Sequence, residues 1–194
     1  MRSVFLRTLI ILGGLAAASV PACADTVLNF DDLTTLYAPV GTYQGVVFDA
    51  SWNYFDFPDP QYPASSPSTR LGVNKLFGGD AEFTFASPVI FKGAFFSGLT
   101  GEKVSFELYN GGLVHTSGIL AVSDVPTFLS SGYTGLVSKV RVRNTADPIF
   151  AQFVMDDVTF QQVTTGVPEP SAVVLMSGVA GLLVLGGRRQ RLTT

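Results

Sequence analysis

Two pairs of aspartates could do chemistry together. Asp31 and Asp32 close the segment Leu28-Asn29-Phe30-Asp31-Asp32, and Asp156 and Asp157 open the segment Asp156-Asp157-Val158-Thr159-Phe160. Alternation gives Leu28, Phe30 and Asp32 one parity, and Asp156, Val158 and Phe160 the same parity in mirror image. If the first and last strands of a domain pair antiparallel, Leu28 faces Phe160, Phe30 faces Val158 and Asp32 faces Asp156, with Asp31 and Asp157 alongside. Like charges directly opposite destabilise a sheet, and burying an unpaired carboxylate is costly. A structural calcium ion, which takes about six to eight oxygen ligands, would offset both terms. The alternative is that the four carboxylates lie beyond the strand ends, solvated or closing Asx turns.

The second constellation is aromatic. Trp52, Tyr54, Phe55 and Phe57 precede a segment rich in proline (Pro58, Pro60, Pro63, Pro67), and Tyr62 lies within it. Sugar rings stack their C–H faces on aromatic rings while their hydroxyls reach carboxylates and amides. Trp52, Tyr54 and Tyr62, with Asn53, Asp56 or Asp59, therefore make a candidate glycan platform. Against this, alternation along the strand buries either Trp52 and Tyr54 or Phe55 and its partners.

Catalytic patterns are missing. His115 is the one histidine, Cys23 the one cysteine, and there is no Gly-x-Ser-x-Gly elbow and no histidine pair at metal spacing. No residue is assigned a catalytic role. His115 follows Val114 with opposite parity, as a surface strand residue does. A glycosidase needs only two acids, but the four aspartates at the domain ends are too clustered to flank a groove.

The ends of the chain carry addresses. Arg2 and Arg7 precede an apolar run from Leu9 to Val20 that ends in Ala22-Cys23-Ala24, the layout of a signal peptide cleaved after Ala24. Lipidation of Cys23 is the competing reading, which Pro21 fits badly. At the other end, Val167-Pro168-Glu169-Pro170 leads into an uncharged stretch from Ser171 to Gly187 and then Arg188, Arg189, Gln190 and Arg191. A helix over that stretch is about 25 Å long, enough for a bilayer core. The arginines stay cytoplasmic, so the rest of the chain lies outside. The two prolines keep the strip around Glu169 extended and accessible at the membrane surface.

Residues 167–191 resemble a PEP-CTERM sorting signal, in which Pro-Glu-Pro, one hydrophobic helix and an arginine cluster occur in that order. The resemblance implies processing by an exosortase, a membrane transpeptidase of Gram-negative bacteria that also make exopolysaccharide. It assigns the sorting role to Val167, Pro168, Glu169, Pro170, Arg188, Arg189 and Arg191, and covers only the tail. Separately, Asp156-Asp157-Val158-Thr159-Phe160 is similar to the closing strand of jelly-roll carbohydrate-binding modules, some of which hold a structural calcium.

Between these ends, Asp25 to Gly166 holds fourteen acidic side chains against seven basic ones, a net charge of −7, which excludes nucleic acid as a partner. Period-two alternation in Lys103-Val104-Ser105-Phe106-Glu107-Leu108, Lys139-Val140-Arg141-Val142-Arg143 and Glu82-Phe83-Thr84-Phe85 predicts half-buried strands. Asn110-Gly111-Gly112 predicts a tight hairpin, and Gly93 breaks the apolar run from Val89 to Leu99. About nine strands and no amphipathic helix are expected, an all-β antiparallel sandwich of jelly-roll kind. The organisation expected is a signal peptide over 1–24, an ectodomain over 25–163, a linker with the Pro-Glu-Pro motif over 164–170, a transmembrane helix over 171–187 and a basic cytoplasmic tail over 188–194. The expected protein is anchored in the inner membrane, then processed to the cell surface or matrix. There it binds exopolysaccharide or other surface components without catalysis; the alternatives are a secreted hydrolase of matrix polysaccharide and a purely structural matrix protein.

Overall fold

Alternating burial along Ala81-Glu82-Phe83-Thr84-Phe85 shows how this chain builds its core: Ala81, Phe83 and Phe85 point in, while Glu82 and Thr84 point out. The computed structural model describes residues 24–73, 80–145 and 152–163. The predicted signal peptide up to Cys23, the sorting residues Val167, Pro168, Glu169, Pro170, Arg188, Arg189 and Arg191, and the predicted membrane helix lie outside the described residues. Within them the chain is all-β, with no helix.

Thirteen strands are present rather than nine, because several are too short to leave a periodic signal. They are β1 (Asp25–Leu28), β2 (Tyr37–Pro39), β3 (Thr42–Tyr43), β4 (Val46–Phe48), β5 (Trp52–Phe55), β6 (Arg70–Val73), β7 (Ala81–Gly98), β8 (Lys103–Asn110), β9 (Gly112–Thr116), β10 (Leu120–Ala121), β11 (Thr127–Ser130), β12 (Val137–Asn144) and β13 (Phe153–Gln162). All pair antiparallel in one hydrogen-bonded sheet. The first half of β7 pairs with β12 and β4, and the second half with β13 and β11.

β7 folds that sheet into two layers. Phe83 and Phe91 are eight residues apart and would be separated by about 26 Å on a straight strand, yet their ring centroids are 5.8 Å apart. Phe91 also meets Phe106 of β8 edge-on at 5.0 Å, and Phe85 meets Phe160 of β13 at 5.0 Å. Phe83, Phe91, Phe96, Phe106 and Phe153 are almost wholly removed from solvent. Each such side chain contributes about 2–3 kcal/mol of hydrophobic stabilisation.

The first and last strands do pair antiparallel, but the register differs from the expected one by two residues. Leu28 faces Val158 and Thr26 faces Phe160. A shift of two keeps every side chain on its own face, so Leu28, Val158 and Phe160 all remain in the core. Phe30 takes a left-handed backbone (φ 60°) and turns the chain off β13 to pack on Tyr43 and Phe48.

Two irregularities decide what the second layer presents to solvent. On β7 the inward set changes from Val89 and Phe91 to Ala94 and Phe96 across Gly93, whose φ is 146°. On β13 it changes from Phe153 and Met155 to Val158 and Phe160 across Asp156 and Asp157, where the register slips and Asp157 has φ 48°. This is a β-bulge, which re-aims the side chains beside it. Asp156 thereby pairs across from Phe95 on the outer face.

A Cβ on Gly93 would collide with the Leu129 carbonyl in addition to the φ penalty. Gly93→Ala is expected to lower the urea-unfolding free energy by at least about 2 kcal/mol. Gly112→Ala, with open space around it, is expected to change it by less than about 0.5 kcal/mol. Equal, small effects would contradict the bulge account.

Candidate functional site

Between β5 and β6 the chain runs through residues 56–69, a segment whose prolines cannot donate to a sheet ladder. It lies instead against the outer face of the second layer, and its anchors are polar. Asp156, 2% exposed, accepts the backbone N–H of Ser65 (2.8 Å) and of Ser66 (2.9 Å) and the Ser66 hydroxyl (3.2 Å) on Oδ2, and the N–H of Asp157 (2.7 Å) on Oδ1. Ser97 Oγ donates to the Pro63 carbonyl at 2.5 Å. Arg70 closes the base of the loop, its Nη1 donating to the carbonyls of Phe57 (2.7 Å) and Ser68 (3.2 Å).

Burial pushes the Asp156 carboxyl up to about 7, and the neighbouring Asp157 charge pushes the same way; the backbone N–H groups of Ser66, Asp157 and Ser65 pull against them. No cation lies within ion-pair distance of Asp156 among the described residues.

The seated loop leaves a cleft. Cross-strand partners on the outer face run Tyr37–Phe55–Arg70 in one row and Pro39–Asn53–Gly72–Val154 in the next. Gly72 is the low point, because a Cβ there would strike the Phe55 ring. A cavity of about 210 Å3 opens here, walled by Phe55, Phe57, Tyr62 and Phe153 and carrying Asp59, Arg70 and Gln152 as polar groups. A second cavity, of about 520 Å3, lies among Pro58, Pro60 and Pro63 and shares Asp59 and Arg70 with the first. Phe57 meets Phe55 edge-on at 5.9 Å, and the Arg70 guanidinium carbon lies 5.5 Å from the Phe57 ring centre. Asp59 Oδ1 accepts the Gln61 N–H at 2.9 Å, an Asx turn that holds the loop tip. Burial raises the Tyr62 phenol, helped by the charges of Asp59 and Glu102, so it stays a hydrogen-bond donor. Burial lowers Arg70, with Asp59, Asp156 and Asp56 opposing the shift.

Of the three aromatic residues proposed as a platform, one reaches this cleft. Trp52 is fully buried, its Nε1 donating to the Glu82 carbonyl at 3.1 Å, and Tyr54 is buried beside it. Alternation on β5 sends these two into the core and turns Asn53 and Phe55 outward. Tyr62 keeps partial exposure on the cleft wall. The other side chains lining the cleft have no clear sequence signal: Phe55 and Phe57 sit beside Trp52 in the aromatic run, and Arg70, Gly72 and Gln152 carry no motif.

The four aspartates are not gathered as a ligand set. Asp31 Oδ1 accepts the Thr69 N–H at 3.3 Å, Asp32 Oδ1 accepts the Tyr43 hydroxyl at 2.5 Å, and Asp156 is filled by loop donors. Among the described residues no group of three or more His, Cys, Asp or Glu side chains could hold a metal ion. The register shift and the turn at Phe30 separate what the sequence placed face to face. His115 stacks on Tyr133 on β9, ring centroids 5.4 Å apart, away from the cleft.

No protein-family model matches this chain, and no curated protein matches it. Among solved structures, it is similar to family 29 carbohydrate-binding modules. A variant complexed with mannohexaose aligns at a TM-score of 0.45 with 11% identity, over 72% of this chain and 92% of the other. A variant complexed with cellulohexaose aligns at 0.43 with 10% identity, over 71% and 91%. The described residues of this chain form an all-β antiparallel fold with an aromatic, mixed-charge cleft on its outer face.

Because Asp156 binds its proton more tightly when folded, the stability it contributes is fully present below its ordinary value of 3.8 and is lost as pH rises through about 7. Relative to Asp156→Asn, which keeps an oxygen for the Ser65 and Ser66 amides, the wild type is expected to lose up to about 1.4 kcal/mol per pH unit between pH 5 and 6.5. Urea unfolding across that range checks this, and parallel profiles would contradict it.

Proposed function

We propose that this chain is an exported cell-surface protein whose β-sandwich ectodomain binds polysaccharide without modifying it. The observation that carries the reading is the cleft of Phe55, Phe57 and Tyr62 around Asp59, Arg70 and Gln152. Aromatic faces meet the C–H faces of a sugar ring, while a carboxylate, a guanidinium and an amide serve its hydroxyls as acceptor and donors. A loop of this length without strand or helix is uncommon unless it serves a function, and this one brings Phe57, Asp59 and Tyr62 to the cleft. The non-catalytic part of the reading rests on the carboxylates. Among the described residues Asp59 is the one carboxylate lining the first cavity, and glycoside hydrolysis uses two acids across the scissile bond.

Location completes the reading. The signal peptide exports the ectodomain, residues 171–187 hold it in the inner membrane, and Val167-Pro168-Glu169-Pro170 with Arg188, Arg189 and Arg191 present it to an exosortase, after which it reaches the surface or matrix.

Retention on the producing cell's exopolysaccharide in affinity electrophoresis is expected. Phe57→Ala and Tyr62→Ala should each weaken it about tenfold, roughly 1.4 kcal/mol, while the buried-core change Trp52→Phe leaves it unchanged. Retention indifferent to Phe57 and Tyr62 would contradict the assignment. For the sorting step, the chain is expected to shorten at its C-terminus in a host with an exosortase and to stay full length in the membrane without one. Identical products in both hosts would overturn that step.

A further inference from the structure

Among the described residues Arg70 is a buried cation with no carboxylate at ion-pair distance. Lys139, Arg141 and Arg143 lie on the opposite layer, and each contacts Glu82, Glu107 or Asp80 at 2.6 to 3.3 Å. Arg70 is 3% exposed, more buried than any of them. Among the described residues no carboxylate comes within ion-pair distance of it. Asp59, Asp156 and Asp56 reach it only through the longer-range field. Its Nη1 serves two carbonyls, and its buried Nε–H has no acceptor among the described residues.

Burying a guanidinium with an unmet donor and no contacting anion is costly, and a site that pays this cost gains it back when an anion arrives. Nε with its neighbouring Nη2 is the edge by which arginine takes a carboxylate side-on, through two parallel hydrogen bonds. Arg70 lines both cavities, so it stands where a bound sugar ring would rest. Phe57 holds the guanidinium plane from one side.

We infer that the cleft takes an acidic saccharide, a uronic-acid residue whose ring carboxylate sits toward Arg70 while its ring stacks between Phe57 and Tyr62. This rests on the saccharide reading above. Asp59 then serves a hydroxyl at the rim, since its charge would repel the carboxylate. The net negative charge of the ectodomain does not forbid this, because at physiological salt the field of distant surface carboxylates is screened within about 8 Å.

The test is calorimetric titration of the full chain in detergent at pH 7. The ligands are short oligomers of galacturonate, glucuronate and mannuronate, each paired with the same oligomer after reduction of its carboxyl groups to hydroxymethyl. At least one acidic member is expected to bind at least tenfold more tightly than its reduced form, and to weaken with added salt. Arg70→Lys, which keeps the charge and loses the fork, should shrink that ratio to threefold or less, weakening the acidic form more than the reduced one. Reduced forms that bind as well as the acidic ones would overturn the inference and leave the saccharide reading standing. A panel in which neither form of any pair binds would overturn both.

Discussion

A carboxylate buried without a cation has to be met by hydrogen-bond donors, and in this protein Asp156 is met by a loop. The bulge on β13 turns it to the outer face, where its cross-strand partner Phe95 offers no side-chain donor and only the adjacent Asp157 N–H reaches Oδ1. The amides of Ser65 and Ser66 and the Ser66 hydroxyl meet Oδ2. Those donors lie in a segment that its prolines bar from any ladder, so the bond is mutual. The loop gains a fixed seat, and the carboxylate gains partners that partly offset its desolvation. Phe57, Asp59 and Tyr62 inherit their positions from that seat.

The same irregularities tie the site to the core. If β13 alternated without interruption, either Phe153 and Met155 or Val158 and Phe160 would leave the interior. The bulge keeps both pairs inside and frees one position, Asp156, to face the loop. The matching change at Gly93 on β7 lets the strands stay paired through the slip. Gly72, on β6, then gives the ring of Phe55 room to lie across the sheet, and Arg70 ties the two ends of the loop together through Phe57 and Ser68. Core packing and cleft shape are consequences of one pattern of side-chain parity.

Much of the fold was legible in the chain. The period-two segments around Phe83, Phe106 and Val140 are strands, the Asn110-Gly111-Gly112 turn joins β8 to β9, Gly93 marks an irregularity, and the prolines mark a loop. The pairing of first and last strands was legible too, from the mirrored order of Leu28, Phe30, Val158 and Phe160. Its register was not, because parity fixes faces and leaves shifts of two undecided. The site was legible only in outline. Alternation offers two faces of β5 and does not say which is inward, so it leaves Trp52 as a candidate ligand contact where the structure puts it in the core. Arg70 has no local signal, since its importance comes from a loop base and an outer face that meet only in three dimensions.

The central claim is that a saccharide lies in the cleft between the seated loop and the outer face of β5, β6 and β13. Nuclear magnetic resonance titration of the isotopically labelled protein with its exopolysaccharide fragments tests it most directly, since the Arg70 Nε–H is itself an observable probe. The account predicts shifts concentrated on the Arg70 Nε–H, the rings of Phe57 and Tyr62 and the Gln152 side-chain amide. Shifts centred on the opposite layer, around Tyr109, Arg141 and Arg143, would contradict it.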